Sequence, residues 1–167
     1  DLNRWLRHLP VWAVWLAGLI PLALLIFDTL QGHLGVDPVR DIEHRLGRTA
    51  IYFLIATLAV TPLLRLTRLN LVRYRQALGL ICFTYLICHL AAWVAFDMGF
   101  LWAQIVKDVI KRPYLIFGMI AFLMLLALAV TSNRWSIRRM GAGWRQLHRL
   151  IYPAAILAML HWLWALK

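Results

Sequence analysis

Acidic residues are scarce in this 167-residue chain: seven Asp and Glu stand against 18 Lys and Arg, and charged residues of both signs make up only 15%. A typical soluble domain carries roughly 25%. Cysteine is nearly absent. The two present, Cys82 and Cys88, lie in one apolar run and point in different directions on a helix, which excludes a disulfide between them. Neither belongs to a Cys-x-x-Cys-His pattern, so covalent heme attachment is not expected. The chain has no Walker loop and no Rossmann glycine signature, and no nucleophile sits beside an evident base. Few acids fall inside the apolar runs, which argues against an acid-driven proton pump.

What the chain has in excess is apolar surface. It is 63% hydrophobic with a mean hydropathy of +0.72, and a water-soluble protein of this size could not bury so much. The expected solvent is lipid. Nine Trp and five Tyr suit the two membrane interfaces, where amphipathic rings collect. A spanning helix needs about 20 mostly apolar residues. Five such spans are predicted, at about 9–30, 38–66, 75–96, 113–131 and 144–166, making the fold an all-α polytopic transmembrane helix bundle. The whole of 1–167 reads as one transmembrane domain. The first run is too long for a signal-peptide core and no small-residue cleavage site follows it, so a retained span is expected. Asp37 before Pro38 is a start signal for the second, an N-cap followed by proline at the first helical position. That helix is expected to outreach the bilayer, with Pro62 kinking its far end. The stretch 97–112 reads as a mixed connection, partly an interfacial helix, and 132–143 as a basic loop with two glycines.

A net charge of +11 is compatible with nucleic-acid binding, but its placement points to topology. With the N-terminus inside, the inner stretches hold Arg4, Arg7, Arg65, Arg68, Arg73, Arg75, Arg134, Arg138, Arg139, Arg145 and Arg149, the majority of the basic residues. Six of the seven acids fall outside, the exception being Asp1. Positive charge on the short inner connections sets a cytoplasmic N-terminus. The same basic face would attract anionic lipid, a flavin phosphate or a soluble partner.

An ionisable residue inside a membrane is costly and is a functional candidate by default. His89 lies deep in the third span and His161 in the outer half of the fifth. Counted at about 1.5 Å per residue, each is roughly 20 Å above the inner end of its helix. Two imidazoles at one depth on different helices are suited to clamping a heme iron. His148 marks an inner level, where the third helix offers Arg75 and Gln76 instead of a histidine. On an ideal helix His148 and His161 would not share a face; Pro153 between them can bend it. His44, Arg45 and Arg48, near the outer end of the second span, suit heme propionates or a quinone. The plainer reading of each histidine is a hydrogen bond to a neighbouring helix or an interfacial position, and His8 and His33 fit the latter.

At these residues a family resemblance emerges. The chain resembles the MsrQ (YedZ) family of heme-binding membrane subunits, within the ferric-reductase-like transmembrane superfamily. The matching stretches are Gly35 to His44 (GVDPVRDIEH) with Gly47, Arg48 and Thr49; Ala56-Thr57-Leu58 with Thr61-Pro62-Leu63; and Leu78-Gly79-Leu80 with His89-Leu90. Further on come Arg112-Pro113-Tyr114, Leu126-Ala127-Leu128 with Thr131-Ser132, and Trp144 to His148 (WRQLH) with His161. They run in order from about residue 10 onward. The resemblance implies b-type heme ligated by His89, His161 and His148, with one heme between His89 and His161 and a second at His148 left open by Arg75 or Gln76. It implies electrons taken from the quinone pool, or from a cytosolic flavin reductase through FMN. They would pass to MsrP, a periplasmic molybdenum enzyme that reduces methionine sulfoxide in proteins. The location implied is the bacterial inner membrane, and the role that of a non-catalytic electron-transfer subunit. The family usually carries six hydrophobic helices; five are expected in these 167 residues. Two other readings compete: a heme-free anchor or scaffold for a periplasmic partner, and a cytochrome b561-like carrier, which expects two histidines on each of two helix pairs.

Overall fold

The computed structural model describes residues 2–166; Asp1 and Lys167, counted in the charge pattern above, lie outside them. The described residues are mostly helical, with no strand among them. The α-helices are α1 (Leu2–His8), α2 (Val11–Leu30), α3 (Pro38–Thr67), α4 (Arg75–Ala92), α5 (Trp102–Lys111), α6 (Pro113–Val130), α7 (Arg134–Met140), α8 (Ala142–Leu147) and α9 (Ile151–Ala165). Among the described residues, Val11–Leu30, Pro38–Thr67, Val72–Asp97 and Pro113–Val130 are long and apolar enough to cross a bilayer, and the chain is a multi-pass helical membrane protein.

The predicted start of the second span holds: Asp37 caps α3 by accepting the Arg40 N–H at 3.1 Å, with Pro38 at the first helical position. At 30 residues α3 is about 45 Å long, well beyond a hydrocarbon core of about 30 Å. It runs through Pro62 to Thr67. The predicted fifth span is subdivided into α8, a 3-10 turn at His148–Leu150 and the 15-residue α9. With its 3-10 lead-in α9 reaches roughly 28 Å. Two stretches are more ordered than expected. Residues 132–143, read as a loop, contain α7, whose first turn is capped by the Asn133 side chain accepting the Ser136 N–H at 2.8 Å; Gly141, at φ +52°, follows it. Residues 97–112 contain α5, with Trp102, Val106 and Ile110 along one exposed face and Ile105 buried.

The chain divides into two compact units, Asp1–Ala92 and Trp93–Lys167. In the first, α4 is the central helix: Ile81 and Tyr85 are fully buried, against α2 and α3. Gly18 permits the α2–α4 approach, since a Cβ there would stand 2.7 Å from Ile81 Cδ1. The Tyr85 hydroxyl sits on the adjoining turn of α2. It donates to the Gly18 carbonyl at 2.7 Å and accepts the Leu22 N–H at 3.0 Å. Pro21 lies in that same turn and removes a backbone donor from it. In lipid such groups must be satisfied inside the protein, and Tyr85 serves the turn. At the other end of α2, Arg45 of α3 bridges Asp28 at 2.6 Å and Asp41 at 3.0 Å, tying the two helices together. In the second unit α6 packs on α9 through Ala121, Leu125, Leu128 and Ala154. The chain enters this unit through a π-helical turn at Trp93–Asp97.

The Tyr85 bridge yields a stability prediction. Tyr85→Phe keeps the ring but removes the hydroxyl that bridges the Gly18 carbonyl and the Leu22 N–H, at a cost of about 1–3 kcal/mol. The thermal midpoint of the purified protein in detergent is expected to fall by several degrees. Phe83→Leu, on the same helix but away from this bridge, should shift it less.

Candidate functional site

The side chains singled out by sequence are held in two matching ways. His89, on the last turn of α4, places Nδ1 2.9 Å from the Glu43 carbonyl oxygen of α3. His161, on α9, places Nδ1 2.7 Å from the Tyr114 carbonyl oxygen of α6. A carbonyl can only accept, so in both rings Nδ1 carries the proton and Nε2 carries the lone pair. That is the tautomer in which an imidazole ligates metal through Nε2, with the backbone bond fixing the ring's orientation.

Each ring also lies against a glycine one turn beyond the accepting carbonyl. A Cβ at Gly47 would stand 3.2 Å from His89 Nδ1 and 3.3 Å from its Cε1. At Gly118 it would stand 2.8 Å from His161 Nδ1 and 3.0 Å from its Cε1. The two units therefore repeat one plan: a carbonyl donated by the first helix, a glycine four residues later, and a histidine 46 or 47 residues beyond the carbonyl. The Tyr114 ring further confines His161, with centroids 5.7 Å apart. Both histidines are half-buried.

His148 is held through its other nitrogen. Its Nε2 lies 3.1 Å from Thr131 Oγ1, while the Thr131 hydroxyl donates to the Ala127 carbonyl at 2.7 Å. The hydroxyl oxygen then accepts, and Nε2 bears the proton. Trp144 stacks on the imidazole at 3.9 Å and donates its indole N–H to the Thr131 carbonyl at 3.0 Å. A comparable contact occurs in the first unit, where Arg75 Nη1 donates to Thr61 Oγ1 at 3.4 Å. So each unit also carries a threonine contact: Thr61 with Arg75 in the first, Thr131 with His148 in the second. The 3-10 turn that begins at His148 winds about 20° more per residue than an α-helix, which changes the phase between His148 and His161 from that of an ideal helix.

The remaining expected residues lie in the N-terminal part of α3. His44 and Arg48 are exposed. Arg45 is engaged by Asp28 and Asp41, so its first role is the clasp between α2 and α3. His8 and His33 are exposed, His33 edge-on to Phe27 at 6.5 Å. Among the described residues no three His, Cys, Asp or Glu side chains converge as a metal-ion site. Sequence reasoning gave no role to the Glu43 and Tyr114 carbonyls or to Gly118, and noted Gly47, Thr131 and Trp144 only as parts of the matching stretches. The available signal was a glycine inside each otherwise side-chain-rich span.

These spans and paired histidines define a membrane protein of the ferric-reductase type. The family model described as "Ferric reductase like transmembrane component" matches residues 46–159, a stretch containing His89 and His148 and ending two residues before His161. The chain is 43% identical over 163 residues to the protein-methionine-sulfoxide reductase heme-binding subunit MsrQ of Agrobacterium fabrum, covering 96% of this chain and 76% of that protein. It is 41% identical over 157 residues to the protein of the same name in Brucella anthropi, covering 94% and 71%. The chain belongs to the MsrQ family. No solved structure matches it.

The glycine contacts generate a graded prediction. Gly118→Ala pushes a methyl to 2.8 Å from its ring, closer than the 3.2 Å of Gly47→Ala. In ¹⁵N-histidine spectra, Gly118→Ala is expected to perturb the Nδ1-H tautomer signal of His161 strongly, and Gly47→Ala to perturb that of His89 more weakly. Equal, negligible effects would contradict the contact.

Proposed function

We propose that the chain is a heme b electron-transfer subunit in which His89 and His161 would hold one heme iron. The observation that carries this reading is the shared construction of the two rings, each with Nδ1–H on a helix carbonyl and the lone pair on Nε2. Heme would fit this donor set because its iron needs few protein ligands and imidazole nitrogen is a common one, whereas no three His, Cys, Asp or Glu side chains converge among the described residues. The glycines support the fit, since any larger residue at Gly47 or Gly118 would displace the ring that must ligate. When bound, the heme supplies a one-electron ferric/ferrous couple.

The protein's own share is orientation and charge. The Glu43 and Tyr114 carbonyls fix the Nδ1–H tautomer and the turn of both rings, and their partial negative charge increases the basicity of Nε2. His44 and Arg48, exposed on α3, are the candidates for propionate or quinone contact. Arg45 would act there indirectly, its charge being balanced by Asp28 and Asp41. A second heme at the inner level would engage His148, with Arg75 or Gln76 as the group the third span offers.

The subunit names of the relatives support placing this chain in a methionine sulfoxide reductase system. On that reading electrons enter from the quinone pool or from a cytosolic flavin reductase through FMN. They leave to a periplasmic partner of the MsrP type, which repairs oxidised methionines. The inner-membrane location and cytoplasmic N-terminus rest on the arginine distribution.

The test is a pyridine hemochrome assay per mole of purified protein. Wild type is expected to show a Soret band, a sharp reduced α-band and at least one heme b. His89→Ala and His161→Ala should each lose more than nine-tenths of the heme shared between them. His148→Ala should keep that heme. A colourless, correctly folded wild type from heme-replete cells would sink the proposal in favour of a heme-free anchor.

A further inference from the structure

A cavity of about 430 Å³ opens at the end of the first unit away from His89, between α1, the end of α3 and the loop before α4. Among the described residues its lining combines the polar Arg68, Arg73, Asn3 and Asn70 with the apolar Leu6 and Leu64, and none of them is an acid. Four arginines (Arg65, Arg68, Arg73 and Arg75) fall within this eleven-residue stretch, again without an acid.

The cavity is a built feature. Asn3 straps α1 to the loop: its Nδ2 donates to the Arg68 carbonyl at 3.0 Å and its Oδ1 accepts the Asn70 N–H at 3.1 Å. The Tyr74 hydroxyl donates toward the carbonyls of Leu6 and Leu9, the latter at 2.7 Å, and the Tyr74 ring carries the Arg73 guanidinium 5.9 Å above its centre. Arg68 occupies a left-handed conformation, φ +59°, at the C-cap of α3. Glycine is the usual residue there because it alone adopts that conformation without strain. An arginine in this sparsely populated conformation is a candidate for a functional use of its charge.

We propose that this cavity binds a phosphate group, held by the guanidinium groups of Arg68 and Arg73 with the organic part against Leu6 and Leu64. Arginine's planar fork matches phosphate oxygens bidentately. Two sources carry that chemistry at a membrane face: the headgroup of an acidic phospholipid, or a soluble phosphate. The inference stands apart from the heme reading, and uses the topology proposed above only to name the inner leaflet.

The experiment compares full-length wild type with Arg68→Gly/Arg73→Gln. Glycine relaxes the strained turn, and helicity by circular dichroism checks the fold. Native mass spectrometry counts bound lipid after reconstitution in phosphatidylglycerol or phosphatidylcholine nanodiscs. Phenylglyoxal labelling of Arg68 and Arg73, with and without millimolar inorganic phosphate, reads the soluble source. At least fivefold greater phosphatidylglycerol retention by wild type than by the variant supports the site and assigns it to lipid. Phosphate protection of both arginines without lipid preference supports it and assigns it to a soluble ligand. Equal lipid retention by both proteins, together with no protection by phosphate, overturns it. If the double variant fails to fold, Arg68→Gly alone decides by the same two readings.

Discussion

A half-buried imidazole in lipid has few acceptors within reach, and the structure depends on which one it finds. Both His89 and His161 find a backbone carbonyl of the neighbouring helix, Glu43 and Tyr114. A carbonyl of an α-helix is already committed to the N–H four residues on, yet keeps a second lone pair. Taking that second lone pair satisfies Nδ1 in an apolar medium, where an unmade bond costs several kcal/mol. It also decides the tautomer, and with it which nitrogen can meet a metal. Stability and ligand chemistry thus meet in one hydrogen bond per helix pair.

The same economy of satisfied backbone recurs elsewhere. Tyr85 occupies the Gly18–Leu22 step beside Pro21, and Cys82 donates to the Ala50 carbonyl at 3.2 Å. Toward the other end of each helix pair, hydroxyls take over from carbonyls, Thr61 toward Arg75 and Thr131 toward His148. The pairs α3–α4 and α6–α9 thus carry corresponding features in the same order: carbonyl and histidine toward one end, threonine and a nitrogen-bearing side chain toward the other. The repeat is one of construction, with little sequence identity behind it, because the positions that match are a carbonyl, a glycine and a ring.

That explains what could and could not be read beforehand. Hydrophobic run lengths gave the long helices, and Asp37-Pro38 marked the start of α3 to the residue. His89, His148 and His161 stood out because an imidazole in an apolar run is rare. Backbone carbonyls carry no sequence signature, so the acceptors that orient the rings were invisible. Gly47 and Gly118 could be noticed but not interpreted without a neighbour to approach. α7 was missed because its arginines and glycines read as loop, while its start depends on one Asn133 cap. Arg45 resembled a propionate ligand; its two carboxylate partners lie four and 17 residues away in sequence, and the farther one comes within reach only once α2 and α3 pack.

The central claim is that His89 and His161 ligate one iron through Nε2. Low-temperature electron paramagnetic resonance of the ferric protein tests it most directly, on wild type and on the His89→Ala and His161→Ala proteins with imidazole added back. The account predicts a low-spin bis-imidazole signal in wild type, its loss in each single variant, and its return with exogenous imidazole. A low-spin signal unchanged in either single variant would contradict it.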